Sequence, residues 1–151
     1  MKIYFSDSEL PEDLGKSIFL AGPTPRKLSV MSWRPKACEI IEELGFDGNV
    51  LVPEFSTPSS KINYNDQVEW EWKGLQECTT VVVWVPRKKD MEGFTTNIEA
   101  GTYIRDERMI YGRPDWADRC EYLDWLYGKF GRGKPFTNLH EMMKKVVEKA
   151  G

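Results

Sequence analysis

The sequence predicts an α/β fold, a parallel sheet of four to five strands with helices on both faces, in a single domain covering 1–151. Three observations predict it. Short apolar runs ended by glycine or proline alternate regularly with segments whose apolar residues recur at helical spacing, the pattern of a parallel sheet. The most strand-like run, Thr79-Thr80-Val81-Val82-Val83-Trp84-Val85, delivers a loop that opens a helix, where open α/β sheets place their chemistry. A chain of 151 residues is long enough to bury one core.

Taken in order, residues 1 to 16 are a polar lead-in with a short strand at Lys2 to Phe5. Ser17 to Ala21 is an apolar run stopped by Gly22-Pro23, hence a buried strand. Prolines 23 and 25 keep the following loop out of helix. Ser32 is the expected N-cap of a helix over Trp33 to Leu44, which Gly45 ends. Val50 to Pro53 forms the next core strand and Glu54 to Lys61 a loop. Asn63 or Asn65 caps a helix to about Glu77, with Val68, Trp72 and Leu75 as its apolar face. After the strand at Thr79 to Val85 and a charged loop, a helix carrying Glu99 runs to about Arg105. Met109 to Tyr111 is a strand, and Asp115 is the expected cap of a helix over Trp116 to Tyr127. Lys134 to Phe136 reads as a short edge strand, and Asn138-x-x-Glu141 as a capping box opening the last helix.

Composition narrows the function. A net charge of -3 lacks the basic footprint of a nucleic-acid binder. Cys38, Cys78 and Cys120 lack metal-type spacing and read as reduced, structural thiols. The one histidine, His140, lies in a polar C-terminal segment, which argues against Ser-His or Cys-His chemistry. No P-loop is present, and no Gly-x-Gly-x-x-Gly follows a strand, so no cofactor is expected. With no signal-peptide pattern and no apolar run of about 20 residues, a cytoplasmic protein that does not engage a membrane is expected.

Loops after the strands converge on one sheet edge, the default place for a site. Gly22 to Arg26, with Arg34 just inside the next helix, combines backbone amides and arginine in a way that suits a phosphate, a carboxylate or a sugar; plain turn chemistry explains the loop equally well. Gln67 and Glu71 share one helix face, either solvated or turned toward Glu99. Two carboxyls flanking a ligand are what glycosyl transfer needs. Thr96-x-x-Glu99 also fits a capping box in the first turn of its helix.

Taken together, the segments Ile18-Phe19-Leu20-Ala21-Gly22-Pro23-Thr24-Pro25-Arg26, Ser32-Trp33-Arg34, Val52-Pro53-Glu54, Gln67 to Glu71, Val83 to Arg87, Phe94 to Gly101, and Gly112-Arg113-Pro114 with Tyr122-Leu123 resemble the nucleoside 2-deoxyribosyltransferase-like family. The resemblance covers about residues 17 to 125 and is nearest to a less characterised branch. It implies a flavodoxin-like, doubly wound sheet and an enzyme that cleaves or exchanges the N-glycosidic bond of a (deoxy)nucleoside or its 5'-monophosphate. Glu99 matches the glutamate that attacks C1', kept ionised by the helix N-terminus. Glu71 is aligned with the acid that handles the base, with Asp66 and Gln67 as rivals. Thr96 and Asn97 are implied sugar contacts, and Gly22, Pro23, Thr24, Arg26 and Arg34 hold the sugar or the 5'-phosphate. Trp33, Trp70 and Trp84 are candidates to stack on the base. The better-studied transferases carry an aspartate shortly before the glutamate, whereas Gly93 to Asn97 holds no acid. A homo-oligomer is implied, with the tail after Gly128 as the candidate to complete a neighbour's pocket. The alternative is a non-catalytic sensor of a nucleotide-derived ligand on the same fold, and a third reading is an interaction protein.

Overall fold

The computed structural model describes residues 1–151. Five strands, β1 (Lys2–Phe5), β2 (Ser17–Ala21), β3 (Asn49–Val52), β4 (Thr80–Trp84) and β5 (Met109–Gly112), form one sheet in the order β1-β3-β2-β4-β5. Every pairing is parallel. The helices are α1 (Arg34–Glu43), α2 (Tyr64–Glu77), α3 (Phe94–Tyr103), α4 (Glu121–Lys129) and α5 (Leu139–Ala150). The four strands from β2 onward run in the 2-1-3-4 order of flavodoxin-like sheets, and β1 is added outside β3.

Both faces of the sheet are covered, and the strand sequences show why. β2 and β4 are buried along their whole length, and alternate residues go to opposite cores. Phe19, Ala21, Val81 and Val83 join the core under α2, α3 and α4. Ile18, Leu20, Val82 and Trp84 join the core under α1 and α5. The chain therefore crosses from one face to the other between β2 and β4. That crossing opens a crevice at the strands' carboxyl ends.

Four local expectations need correction. Val68 and Trp72 are exposed, and α2 buries Trp70, Gly74 and Leu75 instead. Gly74 decides the face: a Cβ there would lie 2.8 Å from both Phe19 and Leu51, so the helix rests on the sheet at its one residue without a side chain. Trp70 then packs over Phe19, with centroids 6.1 Å apart, and donates its indole N–H to Ser8 O at 2.9 Å. At α1 the N-cap is Trp33, although Ser32 Oγ still accepts the Arg34 N–H at 3.2 Å. Asp115 caps nothing, because α4 begins only at Glu121. Residues 114–120 are instead tied to the end of β4, with Asp118 N–H donating to Arg87 O and the Arg87 guanidinium to Arg119 O. Finally, Lys134 to Phe136 contributes a single parallel bridge, Gly112 to Phe136, and no strand. The cap at Asn63 forms as read, Asn63 accepting from the Asn65 N–H, whereas only half of the capping box forms at Asn138: it accepts the Glu141 N–H, and the Glu141 carboxylate turns instead to Lys144 at 2.9 Å.

Candidate active site

A cleft of about 790 Å³ opens at the carboxyl ends of β2 and β3, between α2 and α3. It is built from loops whose sequences leave little choice. Gly22 ends β2 at φ 152°, and a Cβ there would lie 2.2 Å from Trp84 O and 2.8 Å from Trp33 Cζ2. Only glycine lets the first loop pass so close to the end of β4. Gly93, in the left-handed region at φ 68°, is the N-cap of α3, and no side chain caps that helix. The amides of its first turn, at Phe94, Thr95 and Thr96, are thus left without a side-chain partner beside the cleft that these residues line.

The capping-box reading of Thr96-x-x-Glu99 is overturned. Thr96 lies inside α3 and is buried, and Glu99 is the sixth residue of the helix, in its second turn. The helix N-terminus therefore does not hold Glu99 ionised, since that influence fades after the first turn. The opposite holds: burial, then the neighbouring Glu71 carboxyl, push the Glu99 carboxyl up to about 7, against a smaller pull from Arg34. Glu71 is also raised, chiefly by burial, with the Gln67 amide and Arg34 opposing. Gln67 Nε2 donates to Glu71 Oε1 at 3.1 Å. Two carboxyls on facing helices, each raised by burial and one feeling the other, behave as a coupled pair that keeps a proton near neutrality.

Of the ten residues singled out from the sequence, eight line this cleft: Gly22, Thr24, Arg26, Arg34, Gln67, Glu71, Thr96 and Glu99. Pro23 and Asn97 do not. Pro23 is buried, and its carbonyl accepts the Trp33 indole N–H at 3.3 Å. The Asn97 carboxamide accepts from the Arg87 guanidinium, which also donates to Glu92 O at 2.6 Å, so Asn97 braces the start of α3. Arg34 is present but occupied. It is 1% exposed, and its guanidinium donates to Leu20 O, Gly22 O, Thr24 Oγ1 and Glu54 Oε1. Arg26, by contrast, is exposed on the cleft wall and enters none of the ion pairs of the chain.

Trp33, Trp70 and Trp84 are core residues, each no more than 8% exposed, and none reaches the cleft. The aromatic walls come from Phe55, Tyr64 and Phe94, which sequence reasoning missed. Tyr64 and Phe94 are the first residues of α2 and α3, and that placement becomes a signal only once the caps at Asn63 and Gly93 are located. Glu54 and Ser32 were missed as a unit: Ser32 Oγ donates to Glu54 Oε1 at 2.6 Å, which in turn faces Arg34. The loop after β5, expected at the same edge, stays outside the cleft. No group of histidine, cysteine and acidic side chains is arranged to hold a metal ion, and no helix is long and apolar enough to cross a membrane.

No curated protein matches the sequence. Among solved structures, the chain is similar to a conserved protein from Enterococcus faecalis V583, with a TM-score of 0.56 and 13% identity over 87% of this chain and 97% of that one. That likeness establishes a shared fold. The model of the family described as nucleoside 2-deoxyribosyltransferase like matches residues 15–115, a span that contains both carboxyls, the first loop and α3. The chain belongs to the nucleoside 2-deoxyribosyltransferase-like family.

Proposed function

We propose that the protein cleaves or exchanges the N-glycosidic bond of a (deoxy)nucleoside or its 5'-monophosphate, with Glu99 as the nucleophile and Glu71 as the acid. The observation that carries this reading is the raised carboxyl pair on facing helices of one cleft at the sheet's switch point. At rest the proton of the pair sits on Glu99, the more strongly raised carboxyl, and reaction proceeds from the arrangement in which Glu71 has taken the proton and Glu99 is ionised. A Glu99 oxygen bonds to C1' as the C1'–N bond breaks, the bond electrons leave with the base, and Glu71 supplies the base its proton. Water, or the nitrogen of a second base, then attacks C1' and displaces Glu99, while Glu71 takes back a proton. Water gives hydrolysis and a second base gives exchange. Coupling makes the required protonation state accessible near pH 7, because losing the last proton would leave two charges in one buried site.

The uncapped first turn of α3 and the free guanidinium of Arg26 provide the cleft's anion-binding capacity, which suits a 5'-phosphate. Gly22, Thr24 and Thr96 frame the sugar, and Gln67 orients Glu71. Tyr64 and Phe94 take over the stacking role first assigned to the tryptophans. Trp72 of α2 and Ile98 of α3 are exposed apolar side chains available to a second copy of the chain, and a cytoplasmic homo-oligomer is part of the same reading.

The test is chromatography of nucleosides and their 5'-monophosphates incubated with the protein. Free base released by wild type and not by Glu99→Ala is the expected outcome. Absence of release from every substrate, with ligand-induced thermal stabilisation retained, would replace the enzyme by a sensor of the same ligands.

A further inference from the structure

Arg34 is the largest of the fully buried side chains, and it is a cation. An arginine meant to grip a substrate phosphate keeps its fork free. This one spends it on the protein: Nε donates to Leu20 O at 2.9 Å, Nη1 to Thr24 Oγ1 at 3.0 Å and to Glu54 Oε1 at 2.5 Å, and Nη2 to Gly22 O at 2.6 Å. Four of its five N–H groups are thereby committed. Glu54 is itself fixed by the Ser32 hydroxyl. The guanidinium is thus locked in place at the wall of the cleft that holds Glu71 and Glu99, with its charge only partly balanced by one carboxylate at the rim.

We infer that Arg34 is a positioning residue, a fixed counter-charge that allows one carboxyl of the Glu71–Glu99 pair to ionise in a buried site, and that Glu54 sets how much of that charge the pair receives. This rests on the reading of the pair as the reacting groups. Charged and titratable groups line the cleft with Glu99 from each surrounding element: Glu71 and Tyr64 from α2, Arg34 from α1, Glu54 from the end of β3, and Arg26 and Lys27 from the loop after β2. Lys27 is already paired with Asp90 at 3.0 Å, and Arg26 is exposed to water, which screens it. Arg34 is the one buried cation among them, and both Glu71 and Glu99 are pulled downward by it. The same guanidinium bonds hold the backbone of Gly22 and the hydroxyl of Thr24, so the counter-charge and the loop that frames the sugar are set by one residue.

The prediction is a pair of opposite shifts that a purely structural role would not produce. The Glu99 carboxyl is titrated by ¹³C NMR in protein labelled at glutamate, its resonance assigned by its loss in Glu99→Gln. Arg34→Met should raise the titration midpoint by about one unit or more, and Glu54→Gln should lower it by about half a unit or more. The acid limb of the pH profile of base release should move with each. If Arg34→Met fails to fold, Glu54→Gln decides alone, because it keeps the shape of the side chain it replaces. Unmoved midpoints in folded variants, or two shifts in the same direction, would overturn the inference. Opposite shifts without base release from any substrate would leave the counter-charge standing and remove the proposed reaction.

Discussion

Replacing Glu99 by glutamine should stabilise the protein, and only above acidic pH. The Glu99 carboxyl lies at 4.5 in the unfolded reference and at about 7 in the fold. A carboxyl raised on folding keeps a proton that the unfolded chain has released. The stability it permits is therefore full below 4.5, declines as pH rises toward 7, and stays low above. At about 1.4 kcal/mol for each unit, the cost reaches at most about 3 kcal/mol at pH 8 and stays below about 1 kcal/mol at pH 5. Water in the open cleft reduces both figures. Glu99→Gln removes the ionisation and keeps the shape, so its gain over wild type should grow between those two pH values. Urea unfolding at pH 5 and pH 8 measures that difference directly. For a chain of this size a gain of about 3 kcal/mol corresponds to a rise of roughly 6–12 °C in Tm. An equal gain at both pH values would show that ionising Glu99 costs the fold nothing, and the coupled pair would then be a misreading.

Other consequences are open to the same kind of measurement. Gly74→Ala, which in an exposed helix adds about 1 kcal/mol, should instead cost about 1–3 kcal/mol in thermal melting, because the new methyl meets Phe19 and Leu51 at 2.8 Å. Asn97→Leu should leave a buried Arg87 N–H without its acceptor and lower stability by about 1–3 kcal/mol while KM stays unchanged. A tenfold rise in KM with stability intact would return Asn97 to the sugar site. Asn138→Ala should cost about 1 kcal/mol through loss of the cap on α5, seen as an earlier denaturation midpoint.

Strand positions were legible in the sequence because buried parallel strands are short, apolar and closed by glycine or proline, as β2 and β4 are. The order of elements then implied the edge where the cleft lies. The buried face of α2 was not legible: hydrophobic spacing pointed to Val68 and Trp72, and a glycine contact decided otherwise. The role of Arg34 was half legible, since its type and place suggested an anion site. What its guanidinium touches depends on carbonyls from Leu20 and Gly22 that carry no side-chain signal at all. The same limit applies to Glu99. Its residue type pointed to the chemistry, but a left-handed Gly93, with no side chain to announce a cap, started the helix earlier than the Thr96 pattern suggested.

The position of β2 between β3 and β4 also bears on how the molecule is made. The β2–β3 seam is available early, but the β2–β4 seam joins residues such as Ser17 and Thr79 that are 62 positions apart. Closing so long a segment is slow compared with helix formation, so the second seam is the natural bottleneck in folding. A growing chain that has released β1, β2, α1 and β3 already owns three of the five strands and none of the carboxyl pair. Glu71 arrives with α2 and Glu99 only after β4. The pair is therefore complete only once β4 and α3 have been made, with β5, α4 and α5 still to follow.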